Sequence, residues 1–192
     1  MDPEVLHTDL CSRVLLQLQQ ISADLQPLTK EYVETHGLHR LAEEDVPEGN
    51  APVDPDTWAK MTMEERVLSN ITAYLDFEKR LMQVIKEQVN SLLQEEGALH
   101  SRLDSMQRQV SALRSQLEHL GTIMGFKKEL DEDLDEVDRL PGGVFERKVR
   151  GYHILKQLEM WAMRSIRDFR KLHREVRNLA IRAGNSTESS VQ

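Results

Sequence analysis

The chain of 192 residues contains few of the features that build β-sheets, disulfide frameworks or membrane spans. Aromatic residues make up 5% of it, and Cys11 is its single cysteine. One cysteine excludes an internal disulfide, so the chain is not a small secreted domain held by such bonds. No run approaches the roughly 20 apolar residues of a membrane-spanning helix. The N-terminus carries acids where a signal peptide has Lys or Arg, which predicts a cytoplasmic protein without a secretion signal.

The sequence also lacks the motifs of common catalytic sites. There is no Gly-x-Ser-x-Gly, P-loop, Rossmann glycine pattern, His-Glu-x-x-His or Cys-x-x-Cys. A Glu-x-x-His pair, Glu4 and His7, occurs once, whereas a di-iron bundle needs two. His36 and His39 could share a metal but have no third ligand nearby, so surface histidines are the simpler interpretation. We therefore predict a protein that is not an enzyme and that needs no cofactor or metal.

The net charge of the chain is −8, but its acidic and basic residues are unevenly distributed along the sequence. Overall acidity argues against general affinity for nucleic acid or an anionic membrane, and a single aromatic residue, Phe169, lies among the basic ones, which is too few for stacking on successive bases. Basic residues concentrate after Pro141, at helical spacing on one side of the last amphipathic segment. They are Arg164, Arg167, Arg170, Lys171, Arg174 and Arg177. Such a stripe is either a solvated face or a binding surface.

Four long segments repeat apolar residues at steps of three and four, which is typical of amphipathic helices. We predict helices at about 9–36, 62–94, 97–124 and 144–182, followed by a flexible tail over 183–192, all within one domain. A capping box, Thr62 with Glu65, opens the second helix. The third helix has the most regular repeat, which also fits a coiled coil with another chain. An intracellular helical scaffold or adaptor is therefore the alternative function.

The connections between these helices predict their topology. Residues 38–61 and the acidic stretch 127–139 form long connections, whereas the break at Gly97 is short. Two long connections in an all-α four-helix bundle predict the up-up-down-down arrangement. Trp58, in the first connection, is either a lid on the core or a binding hot spot. Pro27 should kink the first helix, because proline removes a backbone hydrogen bond.

Several strings resemble one known family over nearly the whole chain. They are Asp9-Leu-Cys-Ser-Arg13 in the first helix, Gly142-Gly-Val-Phe145-Glu-Arg-Lys148 before the last, and Arg164-Ser-Ile-Arg-Asp168 within it. Together with Trp58 and Trp161, they resemble the ciliary neurotrophic factor family of long-chain four-helix cytokines. The resemblance implies a neurotrophic growth factor that assembles a multi-chain receptor and promotes neuronal survival and differentiation. It also implies storage in the cytosol and release by a non-classical route.

The resemblance further implies three receptor-binding surfaces. Phe145 and Lys148 correspond to the family's contact with the leukaemia inhibitory factor receptor, although Phe145 could instead cap the core. Trp58, Arg164 and Arg170, with Asp24 adjoining from the first helix, correspond to the contact with the ciliary neurotrophic factor receptor alpha. The first and third helices would meet the shared signal-transducing receptor chain through residues that the resemblance does not assign.

Some residues depart from the family pattern. Gln19, Gln20 and Ser22 stand where the family has basic residues in the first helix, which leaves receptor affinity and receptor choice open. We predict that the protein neither binds nucleic acid nor inserts into a membrane. A weak homodimer is compatible with the sequence. Asn70-Ile-Thr72 and Asn185-Ser-Thr187 match the glycosylation pattern but carry little weight without entry into the secretory pathway.

Overall fold

The architecture is that of a computed structural model, which describes residues 3–44, 54–89, 97–126 and 142–188. Six α-helices and no strand occur in these ranges. The four long helices are α1 (Pro3–His36), α4 (Met63–Glu87), α5 (Ala98–Ile123) and α6 (Val144–Glu188). The two short helices are α2 (His39–Glu43) and α3 (Pro55–Lys60), which lie between α1 and α4 in the chain. No helix in these ranges combines the length and the apolar character that a membrane crossing needs.

Contacts between helix ends show that α1 and α4 run in the same direction. His36, the last residue of α1, lies against Gln88 just after α4, with 2.8 Å between His36 Nε2 and Gln88 Oε1. α6 runs the opposite way, because the Tyr32 hydroxyl near the end of α1 donates to the Lys148 carbonyl in the first turns of α6.

Helix α5 is antiparallel to both α1 and α4. Arg102, early in α5, pairs with Glu31 near the end of α1, and Arg114 pairs with Glu78 in the second half of α4. Gly121, near the end of α5, packs against Ile71 in the first half of α4. Two helices therefore run up and two run down, and the predicted up-up-down-down four-helix bundle is confirmed.

The four apolar stripes meet in one core. Each long helix contributes residues at steps of three and four, and most of them are almost fully buried. The most enclosed large side chains are Tyr32, Tyr74, Phe169, Leu18, Ile21, Leu25, Leu28, Leu81, Leu103, Met106, Leu113 and Leu117. Burying one such side chain stabilises the fold by about 1.5–3 kcal/mol. The buried apolar stripe of each long helix therefore contributes most of the free energy that holds that helix in the bundle.

The helix boundaries follow local chemistry. Thr62 accepts from the Glu65 backbone N–H while a Glu65 carboxylate oxygen accepts from the Thr62 N–H, which is the expected capping box. Gly37, with φ of 68°, ends α1 in the left-handed conformation that glycine tolerates. Helix α1 begins at Pro3, earlier than the start predicted at about residue 9, and continues through Pro27.

The structure differs from the prediction in two further places. The segment 38–61, expected to lack helices, holds α2 and α3 on either side of residues outside the described ranges. Asp54 caps α3 and Pro55 occupies its first turn, a start signal whose helix is too short to show an apolar period. Helix α6 reaches Glu188, so the tail expected to be flexible from residue 183 begins as helix. Ala180 and Ala183 are strong helix formers, which favours this extension.

Candidate functional site

The start of α6 presents an aromatic side chain to solvent. Pro141 lies outside the described residues, whereas Gly142, with φ of 153°, and Gly143 are exposed just before α6. Phe145, in the first turn, is 66% exposed, so it is not part of the core. Lys148, one turn later, is half-buried, and its carbonyl accepts from the Tyr32 hydroxyl at 3.0 Å. The backbone at Lys148 is thereby attached to α1 while the Phe145 ring remains in water.

A cluster of polar side chains joins the ends of α1 and α4 to the start of α6. His36 is buried and hydrogen-bonded to Gln88, and its ring packs edge-on against Tyr32 with centroids 4.5 Å apart. Burial lowers the pKa of His36, although the Gln88 hydrogen bond opposes that effect. Arg150 on α6 pairs with Glu87 on α4 at 3.3 Å. The start of α6 is therefore bound to both α1 and α4.

Close backbone packing also sets the position of α6. Gly151 is buried, and a Cβ built at this residue would overlap the Tyr32 hydroxyl. Only glycine lets the α6 backbone approach Tyr32 closely enough for that hydroxyl to reach the Lys148 carbonyl. The α6 backbone that carries Phe145 and Lys148 is thus packed closely against α1 and hydrogen-bonded to it.

A second cluster attaches α3 to α6. Trp58 is 6% exposed, and its indole N–H donates to both carboxylate oxygens of Asp168, with distances of 3.3 and 3.1 Å. Arg66, at the start of α4, donates to the same carboxylate at 3.0 Å. Burial raises the pKa of Asp168, and the Trp58 hydrogen bond and the Arg66 charge oppose this. Asp168 therefore joins α3, α4 and α6 at one point.

Arg164 lies on the aromatic rings of this cluster. Its guanidinium carbon is 4.8 Å from the Trp58 ring centroid and 5.8 Å from that of Trp161, within the range of cation–π attraction. The two indoles meet edge-on at 5.8 Å. Burial lowers the pKa of Arg164, and the Asp168 charge opposes this. Its Nη1 is buried without a hydrogen-bond partner.

Beneath these rings, a hydrogen-bonded network crosses the core between α4 and α6. Asn70 accepts from the Trp161 indole at 2.9 Å and from the Ser165 hydroxyl at 2.6 Å, and donates to the Arg66 carbonyl. The Tyr74 hydroxyl lies 2.8 Å from Ser165 Oγ. Asn70 is 1% exposed, so this match to the glycosylation pattern is closed to modification in the folded chain.

The structure brings together some of the predicted site residues and separates others. Trp58 and Arg164 are in contact, while Arg170 is exposed about two turns further along α6. Asp24 instead accepts from Gln20 on α1 and from Gln109 on α5, both at 3.0 Å. Among the described residues, no contact joins Asp24 to the Trp58 cluster, so it lies on the α1–α5 face.

The residues that hold this surface in place are not predicted as site residues from the sequence. Asp168, Arg66 and Trp161 have partners about a hundred residues away in the chain, and local spacing does not reveal such pairs. A charged residue within the apolar period of α6 is the one signal that marks Asp168. Among the described residues, no group of three or more His, Cys, Asp or Glu could hold a metal.

Comparison with known proteins decides the family. The model of the family described as ciliary neurotrophic factor matches residues 3–189. The chain belongs to the ciliary neurotrophic factor family. It is 34% identical to ciliary neurotrophic factor of Rattus norvegicus over 174 residues, covering 88% of this chain and 85% of the relative. For the factor of Mus musculus the identity is 35% over 170 residues, with 88% and 86% covered, and for that of Gallus gallus it is 32% over 149, with 78% and 76% covered.

Family membership settles the class of function. The chain is a neurotrophic cytokine of the ciliary neurotrophic factor family, whose known role is to assemble cell-surface receptors. An intracellular coiled-coil scaffold is not favoured. The regular repeat of α5 is used within the chain, because its apolar residues are buried against α1 and α4.

Proposed function

We propose that the chain assembles three receptor chains through three separate surfaces. The start of α6 binds the leukaemia inhibitory factor receptor through Phe145 and Lys148. The aromatic cluster of α3 and α6 binds the ciliary neurotrophic factor receptor alpha through Arg164 and Arg170. The α1–α5 face binds the shared signal-transducing receptor chain. The observation that carries this proposal is the exposed Phe145 ring on a backbone fixed to α1.

The exposed fraction of Phe145 supports its role as an anchor. A phenylalanine side chain left 66% in water gives up most of the free energy that burial would provide, roughly 1.5–3 kcal/mol. Binding recovers this free energy if a receptor pocket encloses the ring. Lys148 adds a cation one turn away, and both residues lie on a backbone that needs little ordering.

In the second surface, Trp58 positions Arg164 rather than contacting the receptor over a wide area. The indole is almost fully buried and its N–H is already bonded to Asp168. The ring face instead holds the guanidinium of Arg164, a half-buried residue whose Nη1 is enclosed. A receptor carboxylate could pair with this cation and with Arg170, in the bidentate geometry that guanidinium groups favour.

The third surface includes Asp24 in this proposal. Asp24 bridges α1 and α5 through Gln109, and Leu16, also on α1, is 64% exposed. An exposed leucine on a helix-pair face that carries polar groups has the composition of a small protein-binding patch.

We propose that the cytokine is stored in the cytoplasm, leaves by a non-classical route and meets these receptors outside the cell.

The double variant Phe145→Ala/Lys148→Ala tests the first surface. We expect it to abolish signalling in cells that carry all three receptor chains, because the anchor and its cation are both removed. Its thermal unfolding should match that of the unmodified chain, since neither side chain belongs to the core.

The matched control is Met82→Ala/Lys86→Ala, an exposed apolar residue and an exposed lysine one turn apart on α4. This control should signal normally. Full signalling by the Phe145/Lys148 variant, or equal loss in the α4 variant, would contradict the proposal.

A further inference from the structure

The C-terminal half of α6 carries four exposed arginines that have no carboxylate partner within the part of the chain that the structure describes. They are Arg167, Arg170, Arg174 and Arg177, and no ion pair or hydrogen bond joins any of them to another described residue. Between residues 164 and 185 of α6 the two acidic residues have other partners: Asp168 is buried and bonded to Arg66 and Trp58, and Glu175 lies 4.0 Å from Lys171. No carboxylate in the described ranges therefore neutralises the positive charge of this arginine stripe.

Most other arginines on the described surface are neutralised. Arg13 pairs with Asp9 at 2.8 Å, and Arg80 pairs with Asp76 at 2.7 Å. Others pair between helices or along one helix: Arg102 with Glu31, Arg108 with Asp104, and Arg114 with Glu78 and Glu118. Among the described residues, Arg40 on α2 also lacks such a partner, but the α6 stripe is where four arginines without one lie side by side.

The stripe has the shape of a linear anion-binding surface. Its four arginines recur at steps of three and four, so they follow one side of the helix over about 15 Å at the standard rise per residue. Guanidinium groups bind tetrahedral oxyanions through two parallel N–H donors and release their water more easily than ammonium groups. A row of guanidiniums fits a polymer whose anionic groups also recur along its length.

We infer that the arginine stripe binds a sulfated polysaccharide of the extracellular matrix, in addition to any receptor contact. A nucleic acid fits less well, because Phe169, the one aromatic residue between 164 and 185, is buried and cannot stack on bases. A membrane surface also fits less well. The apolar side of α6 over this length, including Leu172 and Val176, is buried in the bundle and cannot enter lipid.

Charge segregation adds a reason for this choice. The chain has a net charge of −8, so a polyanion that surrounded the whole molecule would be repelled by most of its surface. A flexible chain that follows only the exposed side of α6 avoids this repulsion. A cytokine held in this way near the cell surface would be retained close to its site of release.

The test is equilibrium binding of a heparin octasaccharide to the full chain, across salt concentrations from 50 to 200 mM, values chosen to span the range of strong screening. The variant Arg174→Gln/Arg177→Gln removes half of the stripe and leaves Arg164 and Arg170 in place. We expect it to lower the affinity at least about tenfold at low salt, and to reduce the slope of log affinity against log salt by about 1.4–1.8, because two cation contacts are lost.

The matched control is Arg13→Gln/Arg108→Gln, which removes two exposed arginines that have carboxylate partners on α1 and α5. This control should bind the octasaccharide like the unmodified chain. A desulfated octasaccharide should bind neither the unmodified chain nor this control. Equal losses in the two variants would overturn the inference. So would binding of single-stranded DNA of the same charge, or of phosphatidylserine vesicles, as tight as binding of the octasaccharide.

Discussion

Trp58 and Arg164 show how burial separates the roles of two residues that the sequence places in one group. The family resemblance assigns both to a single contact, and the sequence leaves open whether Trp58 is a lid or a hot spot. In the structure the indole lies inside, bonded to Asp168, and the guanidinium covers its outer face. The role of Arg164 in receptor binding stays a prediction, but its position on Trp58 is now defined.

Protonation of His36 should destabilise the bundle. Burial lowers the pKa of His36 from its ordinary value of 6.5, so the unfolded chain binds this proton more readily than the folded chain does. The stability that this histidine contributes is therefore complete above pH 6.5 and declines as the pH falls through the folded pKa. The positive charge of Lys148 contributes to the same direction of shift.

Thermal unfolding between pH 5 and pH 8 measures this effect, a range that brackets the ordinary pKa of histidine. We expect His36→Gln to lose less stability than the unmodified chain as the pH falls below 6.5. His39→Gln, which replaces an exposed histidine on α2, serves as the control and should behave like the unmodified chain. Identical pH profiles for all three proteins would show that His36 does not govern the response.

At the scale of helices, α3 depends on a single side-chain anchor. Trp58 is the one buried residue of α3, and the Asp168 carboxylate holds its indole on α6. Substitution Asp168→Ala leaves the indole N–H and Nη1 of Arg66 without their acceptor, and it removes the negative charge beside Arg66. We expect it to lower the free energy of unfolding by roughly 3–5 kcal/mol, as when one partner of a buried ion pair is removed.

Loss of this anchor should also affect recognition. Once Trp58 moves, Arg164 loses the ring beneath it, so Asp168→Ala should weaken capture of the alpha receptor even at temperatures where the bundle is folded. Tryptophan fluorescence should report the change around Trp58. Glu175→Ala, an exposed acid on the same helix, is the control, and its effect on stability should stay within about 0.5 kcal/mol. Equal effects of the two substitutions would contradict the anchor.

The long helices could be predicted from sequence because each buries one stripe over many turns. The apolar residues of α5, from Leu99 to Leu120, are buried as their spacing indicates. The short helices could not be predicted in this way, because five or six residues span fewer than two helical turns and cannot show a repeated apolar spacing. The contacts that hold the candidate surface could not be predicted either. Asp168 meets Trp58 across 110 residues, and no local rule gives that pairing.

At the scale of the whole molecule, connection length predicted the topology. A short link between α4 and α5 makes them antiparallel neighbours, and long links allow α1 with α4, and α5 with α6, to run parallel. The same topology places the two candidate α6 surfaces far apart. Phe145 lies at the end of the bundle where α1 and α4 finish, and Arg164 lies toward the end where α4 begins.

This separation permits the most direct test of the account, which is that distinct surfaces on one rigid bundle recruit distinct receptor chains. The measurement is the affinity of soluble alpha receptor and soluble leukaemia inhibitory factor receptor ectodomains for two variants, Phe145→Ala/Lys148→Ala and Arg164→Ala/Arg170→Ala. We predict that the first variant loses only the leukaemia inhibitory factor receptor and that the second loses only the alpha receptor, each at least about tenfold, the effect of 1.4 kcal/mol. Loss of both receptors by either variant, or of neither receptor by both, would contradict the account.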